Sequence, residues 1–444
     1  MIGAVRRNTE LGLLVLSTLV TVGAYVLASL AEDSEIPSNI GPFLVVVVGL
    51  QLVAHVGMRR LAPRADGMLL PLATLLSGLG YVFIVRVDEA RETPDGLAGL
   101  QSMWLAVGVA AFLGALIVIR DLRSLERLRY TIGLAGIASL LLPLVPGLGN
   151  TINGARIWVS FGPINFQPGE FAKIALAIFF AGYLVEKREL LTITRAIGPI
   201  PMPDPKHLGP VLLAWGASLV VMVAERDLGS SLLFFALFLV VIYVATERAS
   251  YLVVGVLLFA AGAIFSHAQF SHVRERVDIW LNPWPDAQGD GFQIVQAAFA
   301  FADGGVTGTG INLGQPLKIP FVETDFIFAA IGEELGLLGA TAILIAFLLI
   351  IGAGLRIALR TDDGFEKLLA VGLTTLIGFQ AFVIMAGVVR LLPLTGVTLP
   401  FVSYGGSSLV ANFVLIALLL RISDESAERE AKREAAHDQT QFVS

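Results

Sequence analysis

Residues 268–336 read AQFSHVRERVDIWLNPWPDAQGDGFQIVQAAFAFADGGVTGTGINLGQPLKIPFVETDFIFAAIGEELG, and they interrupt a chain otherwise built of long apolar runs. Its carboxylates include Asp278, Asp286, Asp290, Asp303, Glu323, Asp325, Glu333 and Glu334, with cations at Arg274, Arg276 and Lys318. Glycines recur at Gly289, Gly291, Gly304, Gly305, Gly308, Gly310 and Gly314. A connection this long is either functional or disordered. Phe292, Ile294, Val295, Phe299 and Phe301 supply more apolar surface than a disordered segment carries. The stretch therefore reads as an ordered, partly membrane-embedded active-site loop, about 268–329, between spanning segments.

The rest of the chain supports that setting. It is 56% hydrophobic and 15% charged, with a mean hydropathy of +0.79, a composition that belongs in a bilayer. With no cysteine, a disulfide framework, thiolate chemistry and a Cys-based metal site are excluded. A helix needs about 20 apolar residues to cross the hydrocarbon. By that ruler the chain is an all-α polytopic membrane protein of about twelve spans, near 11–31, 41–58, 68–87, 102–119, 131–147, 169–186, 209–225, 228–246, 250–267, 330–356, 368–389 and 402–421. Arg6 and Arg7 precede the first run, which lacks a small-residue cleavage site and reads as an uncleaved helix. The tail from Ser423 is charged, nearly free of large apolar side chains, and reads as a frayed helix or disordered.

An even span count places both termini on one side, the cytoplasm. Of the 30 basic residues, 21 then fall in cytoplasmic segments, as the positive-inside rule demands. The other nine (Arg86, Arg91, Arg156, Lys173, Arg226, Arg274, Arg276, Lys318, Arg390) lie at or near the outer face. A cationic cluster there suits an anionic partner such as a diphosphate head group. The competing reading is that each cation snorkels or pairs with a nearby acid.

Four segments carry candidate chemistry. In NGARIWVSFGPINFQPGEFAK (153–173), Glu170 and Lys173 are three apart on a helix opened by Pro168, so they can pair. An ionisable pair inside a span usually faces a cavity or partner, and with Arg156 it could hold an anionic head group. In ERDLGSS (225–231), Asp227 reads as a helix interruption lining a cavity, while Glu225 reads as part of a polar turn at the membrane surface. In KIPFVETDFIFAAIGEELG (318–336), Thr324 and Asp325 could be helix caps. Glu323, Lys318, Glu333 and Glu334 add more charge than a cap needs, and a carboxylate at a low-dielectric boundary can work as a base. RLLPLTGVTLPFVSYGGSS (390–408) mixes prolines and glycines into a membrane-like run and reads as a re-entrant or tightly turned element with Arg390 at its mouth. The five histidines have no metal-ligand spacing. Gly304-Gly305 through Gly310 lacks the context of a nucleotide loop.

These motifs, with DGFQIVQ (290–296) and GGVTGTG, occur in order over about 150–410, and through them the chain resembles the SEDS family of bacterial membrane proteins (shape, elongation, division and sporulation). The resemblance implies a ten-helix core, about residues 61–422, preceded by two extra helices in 1–60 and followed by a cytoplasmic charged tail, 423–444. It implies a peptidoglycan glycosyltransferase that polymerises lipid II (an undecaprenyl- or decaprenyl-diphosphate-linked disaccharide peptide) at the outer face of the cytoplasmic membrane, beside a class B penicillin-binding protein. No nucleic acid is involved. The wording is more similar to actinobacterial RodA, the elongation branch, than to FtsW. By the resemblance Asp325 is the essential acid. Arg156, Glu170, Lys173, Lys318, Glu323, Gln293, Gln296, Arg390 and Ser403 are candidate contacts for the diphosphate and sugars, and Asp227, Gly304, Gly305, Gly405 and Gly406 shape the cavity. No cofactor is required, and a divalent cation (Mg or Mn) could neutralise the diphosphate. Two departures stand out: many relatives carry Glu where this chain has Phe321, and His where it has Glu323. A lipid II flippase and an FtsW-type septal polymerase are the alternatives, and a flippase would need polar groups near the midplane rather than at one face.

Overall fold

The computed structural model describes residues 2–33, 40–91, 96–152, 155–161, 164–192, 194–197, 200–203 and 227–443, with isolated positions between 209 and 225. Among them are fourteen α-helices, ten of them long and apolar enough to cross a membrane. They are α1 (Ile2–Asp33), α2 (Ile40–Leu61), α3 (Leu69–Glu89), α4 (Leu97–Val118), the short α5 (Leu122–Arg127) and α6 (Arg129–Leu141), and α7 (Pro168–Thr192). After them come α8 (Leu228–Thr246), α9 (Ala249–Gln269), α10 (Ser271–Leu281), α11 (Phe292–Gly304), α12 (Ile327–Arg360), α13 (Gly364–Val388) and α14 (Gly406–Val443). Strands β1 (Gly149–Ile152), β2 (Ala155–Phe161) and β3 (Ile164–Phe166) form an antiparallel sheet ahead of α7, and β4 (Thr194–Ile197) pairs with β5 (Ile200–Pro203).

The chain is a polytopic helical membrane protein. Helices α7, α8 and α13 pack on one another at the centre, α14 runs along α4, and α12 along α13. Outward-facing Leu16, Val45 and Ile264 are 56%, 74% and 72% exposed, which only a lipid environment makes favourable. At the expected span near 131–147 lies the 13-residue α6, closed by a 3-10 turn at Leu142–Leu144. Together they make one apolar stretch, Arg129–Leu144, that packs along α7, and Pro143 and Pro146 stop it there. The expected span near 209–225 lies almost wholly outside the described residues. The tail, expected to be a frayed helix or disordered, is helical: α14 continues to Val443, with no Gly or Pro after Gly406 to break it. Asp424 accepts the Arg64 backbone N–H at 2.7 Å, and Arg429 and Arg433 pair with Glu366 and Asp362.

One local device ties the glycine-rich part of the long loop to the helix that follows it. Helix α12 is broken at Gly336 (φ 65°, ψ −165°), leaving the half-helix 327–335 with unsatisfied carbonyls. The glycine-rich loop after α11 satisfies them. Thr309 and Gly310 donate to the carbonyls of Glu333 and Glu334 at 2.9 and 3.0 Å, while Leu337 and Leu338 donate back to Gly305 and Val306 at 2.9 and 3.1 Å. Membranes tolerate such a break where it is buried in protein. Gly308 (φ 84°) lies so close that a Cβ would collide with the Glu334 carbonyl, whereas a Cβ on Gly305 (φ 50°) would meet nothing. Gly305→Ala should therefore cost only backbone strain, of order 1–3 kcal/mol. Gly308→Ala adds a collision with backbone to similar strain and should lower the thermal midpoint in detergent by clearly more. Equal midpoints for the two variants would refute this account of the clamp.

Candidate active site

Asp325 sits in the turn just before α12. It does not cap that helix: the capping position is Phe326, and no side chain closes the first turn. What surrounds it is assembled from distant parts of the chain. The extended segment 391–405 between α13 and α14 passes over it, and Gly396 (φ 71°) turns there. A Cβ at Gly396 would stand 3.7 and 3.8 Å from the two terminal nitrogens of Arg276 and 3.8 Å from Asp325 Oδ2, so guanidinium and carboxylate converge on one point. Arg276, on α10, is held there by donating to the Leu394 carbonyl at 2.9 Å.

Asp227 completes the group from the start of α8, where it is the helix cap. Its Oδ1 accepts the Ser230 N–H at 3.0 Å and its Oδ2 the Ser230 hydroxyl at 2.5 Å. A Cβ on Gly229 would lie 3.0 Å from the Thr395 carbonyl, which places the 391–405 segment directly on this helix start. Asp227 is 6% exposed, and Glu225 is 4% exposed rather than lying on a surface turn. The contact with 395–397 carries the start of α8 under protein.

Electrostatics follow from this packing. Asp325 is partly open, yet protein surrounds it on most sides, and the loss of water pushes its acid up to about 6; Arg276 pulls it down, and the Asp227 carboxylate pushes it up again. Burial likewise raises Asp227, which Ser230 and Arg276 counter. Arg276 also lines an apolar cavity of about 230 Å³ whose other walls include Phe235, Phe259, Val383 and Leu394. A cation beside an apolar cavity and a carboxylate near neutrality can hold an amphiphilic anion next to a base.

The other sequence candidates are placed as follows. Glu170 and Lys173 form a buried ion pair at 2.7 Å; Lys173 also donates to Gln380 at 2.7 Å, and Gln380 donates to the Thr398 carbonyl at 2.8 Å. These charges brace the 391–405 segment from below. The Ser403 hydroxyl donates to the Thr324 carbonyl at 2.6 Å and accepts from Leu399 N at 2.9 Å, tying that segment to the turn beside Asp325. Glu323 pairs with Arg91 at 2.9 Å, and its carbonyl accepts from Tyr404 N at 2.8 Å. Arg390 (φ 60°) donates to the Trp280 and Leu281 carbonyls at 3.2 Å, joining α13 to the end of α10. Arg156 donates to the Pro143 carbonyl at 2.9 Å. Gln293 donates to the Pro320 carbonyl at 3.3 Å, Gln296 lies one turn further along α11, and Lys318 is exposed.

Gly304 meets the Gly332 carbonyl so closely that a side chain has no room, and Gly406 lies flat against Trp104. A Cβ on Gly405 would be 3.1 Å from Thr398 Cγ2. Glu333 and Glu334, counted in the sequence as surplus charge near Asp325, face away into the clamp. Glu333 accepts from Gln315 N at 2.8 Å, and Glu334 takes Arg86 Nε at 3.1 Å and Asn312 N at 2.9 Å. Arg276 was legible only as one of nine outer cations. Its amphipathic setting, SHVRERVDIW, is that of an ordinary surface helix. No cluster of three or more metal-ligating side chains occurs among the described residues.

Comparison with known proteins bears on the whole assembly. A family model covering FtsW, RodA and SpoVE, described as cell cycle protein, matches residues 67–428. The peptidoglycan glycosyltransferase RodA of Mycobacterium tuberculosis is 46% identical over 94% of this chain and 90% of its own length. A probable peptidoglycan glycosyltransferase FtsW of Geobacter metallireducens is 34% identical over 81% of this chain and 95% of its own. Among solved structures, one described as structural coordination of polymerization and crosslinking by a peptidoglycan synthase complex superposes with a TM-score of 0.65 at 27% identity, covering 81% of this chain and 97% of the other. The rod shape determining protein RodA of Thermus thermophilus superposes with a TM-score of 0.57 at 25% identity, over 81% and 96%. With a family model spanning most of its length and relatives of this similarity, the chain belongs to the FtsW/RodA/SpoVE family.

Proposed function

We propose that this chain is a peptidoglycan glycosyltransferase of the RodA type, which polymerises lipid II into glycan strands for cell elongation and shape. The observation that carries the mechanism is the convergence of Asp325 and Arg276 beside an apolar cavity. The acceptor's 4-hydroxyl oxygen attacks the donor's anomeric carbon and its proton passes to Asp325. The bond from that carbon to the diphosphate oxygen breaks, and the polyprenyl diphosphate leaves with the electron pair. One displacement inverts the anomeric centre, so no covalent glycosyl-enzyme forms. Arg276 neutralises charge growing on the leaving group, and the apolar cavity takes the first isoprenoid units. Arg156 and Lys318 are left for the second phosphate or the sugars. A divalent cation, Mg or Mn, would add charge neutralisation at the diphosphate.

The site would face outward, with both termini and the 423–444 tail in the cytoplasm, residues 61–422 forming the catalytic membrane domain and residues 1–60 an added pair of helices. A class B penicillin-binding protein would cross-link the product, an arrangement supported by the likeness to a synthase complex. Purified protein should convert lipid II to polymer, and faster when the cognate penicillin-binding protein is added. No polymer under either condition would overturn the function. A tag after Ser423 should be reached only from the cytoplasm and one near Gln288 only from outside. The reverse pattern would remove the substrate from the site.

A further inference from the structure

We infer that α1 and α2, which lie wholly before the family-matched residues 67–428, are a brace that holds the half-helix beside Asp325 in place, with Asn312 as its positioning residue. The inference rests on Asp325 being the base of the proposed reaction.

The brace is anchored at one end by polar pairs buried between the helices. His55 on α2 and Glu10 on α1 are 4% and 3% exposed and meet at 2.6 Å. Further along, the Thr18 hydroxyl donates to Gln51 Oε1 at 2.5 Å, and Ser17 approaches Thr74 of α3 at 3.4 Å. A shift of α1 by one residue would part these groups with no water to replace the partner. The pairs therefore fix depth and rotation rather than merely adding contact.

The other end of α1 reaches the glycine loop. Tyr25 stacks on Phe43 of α2 with ring centroids 3.9 Å apart, Phe43 leans on Tyr81 of α3, and Ile311 packs against this cluster. Next to it the Asn312 side chain donates to the Ala28 carbonyl at 3.2 Å. The Asn312 backbone N–H binds Glu334 at 2.9 Å, and Glu334 lies on the same half-helix, 327–335, that Asp325 precedes. One loop residue therefore touches the added helices with its side chain and the half-helix with its backbone. Arg86 grips the same carboxylate from α3 and the Gly314 carbonyl at 2.9 Å, so the loop cannot follow α1 without moving the half-helix.

The test uses the full chain. Asn312 has φ 66°, so Asn312→Gly keeps its backbone free of strain and removes the side chain that reaches Ala28; Tyr25→Ala removes a ring of the cluster that Ile311 packs against. Each variant should speed amide exchange at 309–312 by about tenfold or more, as a local opening would. Each should lower kcat by about fivefold at unchanged KM, the mark of lost positioning rather than lost binding. The double variant should be no slower than the slower single, since both act along one path. Leu19→Ala, at a lipid-facing position 64% exposed, should match wild type in both readouts. Unchanged exchange, faster exchange with unaltered kcat, or equal damage from Leu19→Ala would overturn the brace. Activity of Asp325→Asn would instead remove the base assignment, and the exchange rates would still report on the brace itself.

Discussion

Asp325→Asn should reduce lipid II polymerisation about 10²–10⁴-fold, the usual loss when a general base is removed, which corresponds to roughly 3–5 kcal/mol of activation free energy. The substitution keeps size and shape and removes only basicity. In the sequence a capping role competes with catalysis, and Asn caps about as well as Asp. The structure removes that competitor, because the capping position is Phe326. Folding should not suffer. Burial raises the Asp325 acid to about 6, above the roughly 3.9 of an unfolded aspartate. Its ionised form therefore destabilises the fold above the unfolded value, and a neutral Asn should leave the thermal midpoint at pH 7 unchanged or higher. Glu323→Gln is the internal comparison and should be milder, because Glu323 is paired with Arg91. Substrate consumption should be followed at saturation, with binding measured separately. Near-wild-type turnover by Asp325→Asn would end the assignment.

Arg276→Gln should be nearly as damaging, and in a pH-dependent way. A base must be deprotonated, so wild-type activity should fall as pH drops through about 6, where Asp325 takes up its proton. Arg276 lowers that value and Asp227 raises it. Without the guanidinium the acid limb should move up by about one to three pH units, the usual influence of an adjacent opposite charge. Raising the pH would then restore the base but not the leaving-group contact. A deficit of about 10²–10³ should persist on the alkaline plateau, as when an oriented donor to developing charge is lost. Full recovery there would mean that Arg276 acts only through Asp325, and the diphosphate contact would have to be reassigned to Arg156 or Lys318. An unmoved acid limb would separate Asp325 from the ionisation that governs rate.

The amino-acid sequence by itself determined the membrane class, most of the spans and the position of the functional loop. Apolar run length and the placement of charge are local properties, and a bilayer imposes one length scale on every helix. It also marked Asp325, through an acid at the mouth of a span and a family motif. Tertiary structure decided which charges meet. Arg276 and Asp325 are 49 residues apart and converge only because the 391–405 segment, turning at Gly396, lies over both. Lys173 and Glu170 read as head-group ligands on their own helix, yet Gln380 from α13 draws them into a support for that segment. Glu333 and Glu334 read as neighbours of the base, but the break at Gly336 and the backbone of residues 305–310 turn them into a clamp. Span length is written in consecutive residues. The partner of a buried charge is chosen by which distant backbone passes close enough to satisfy it, and that depends on how the whole chain packs.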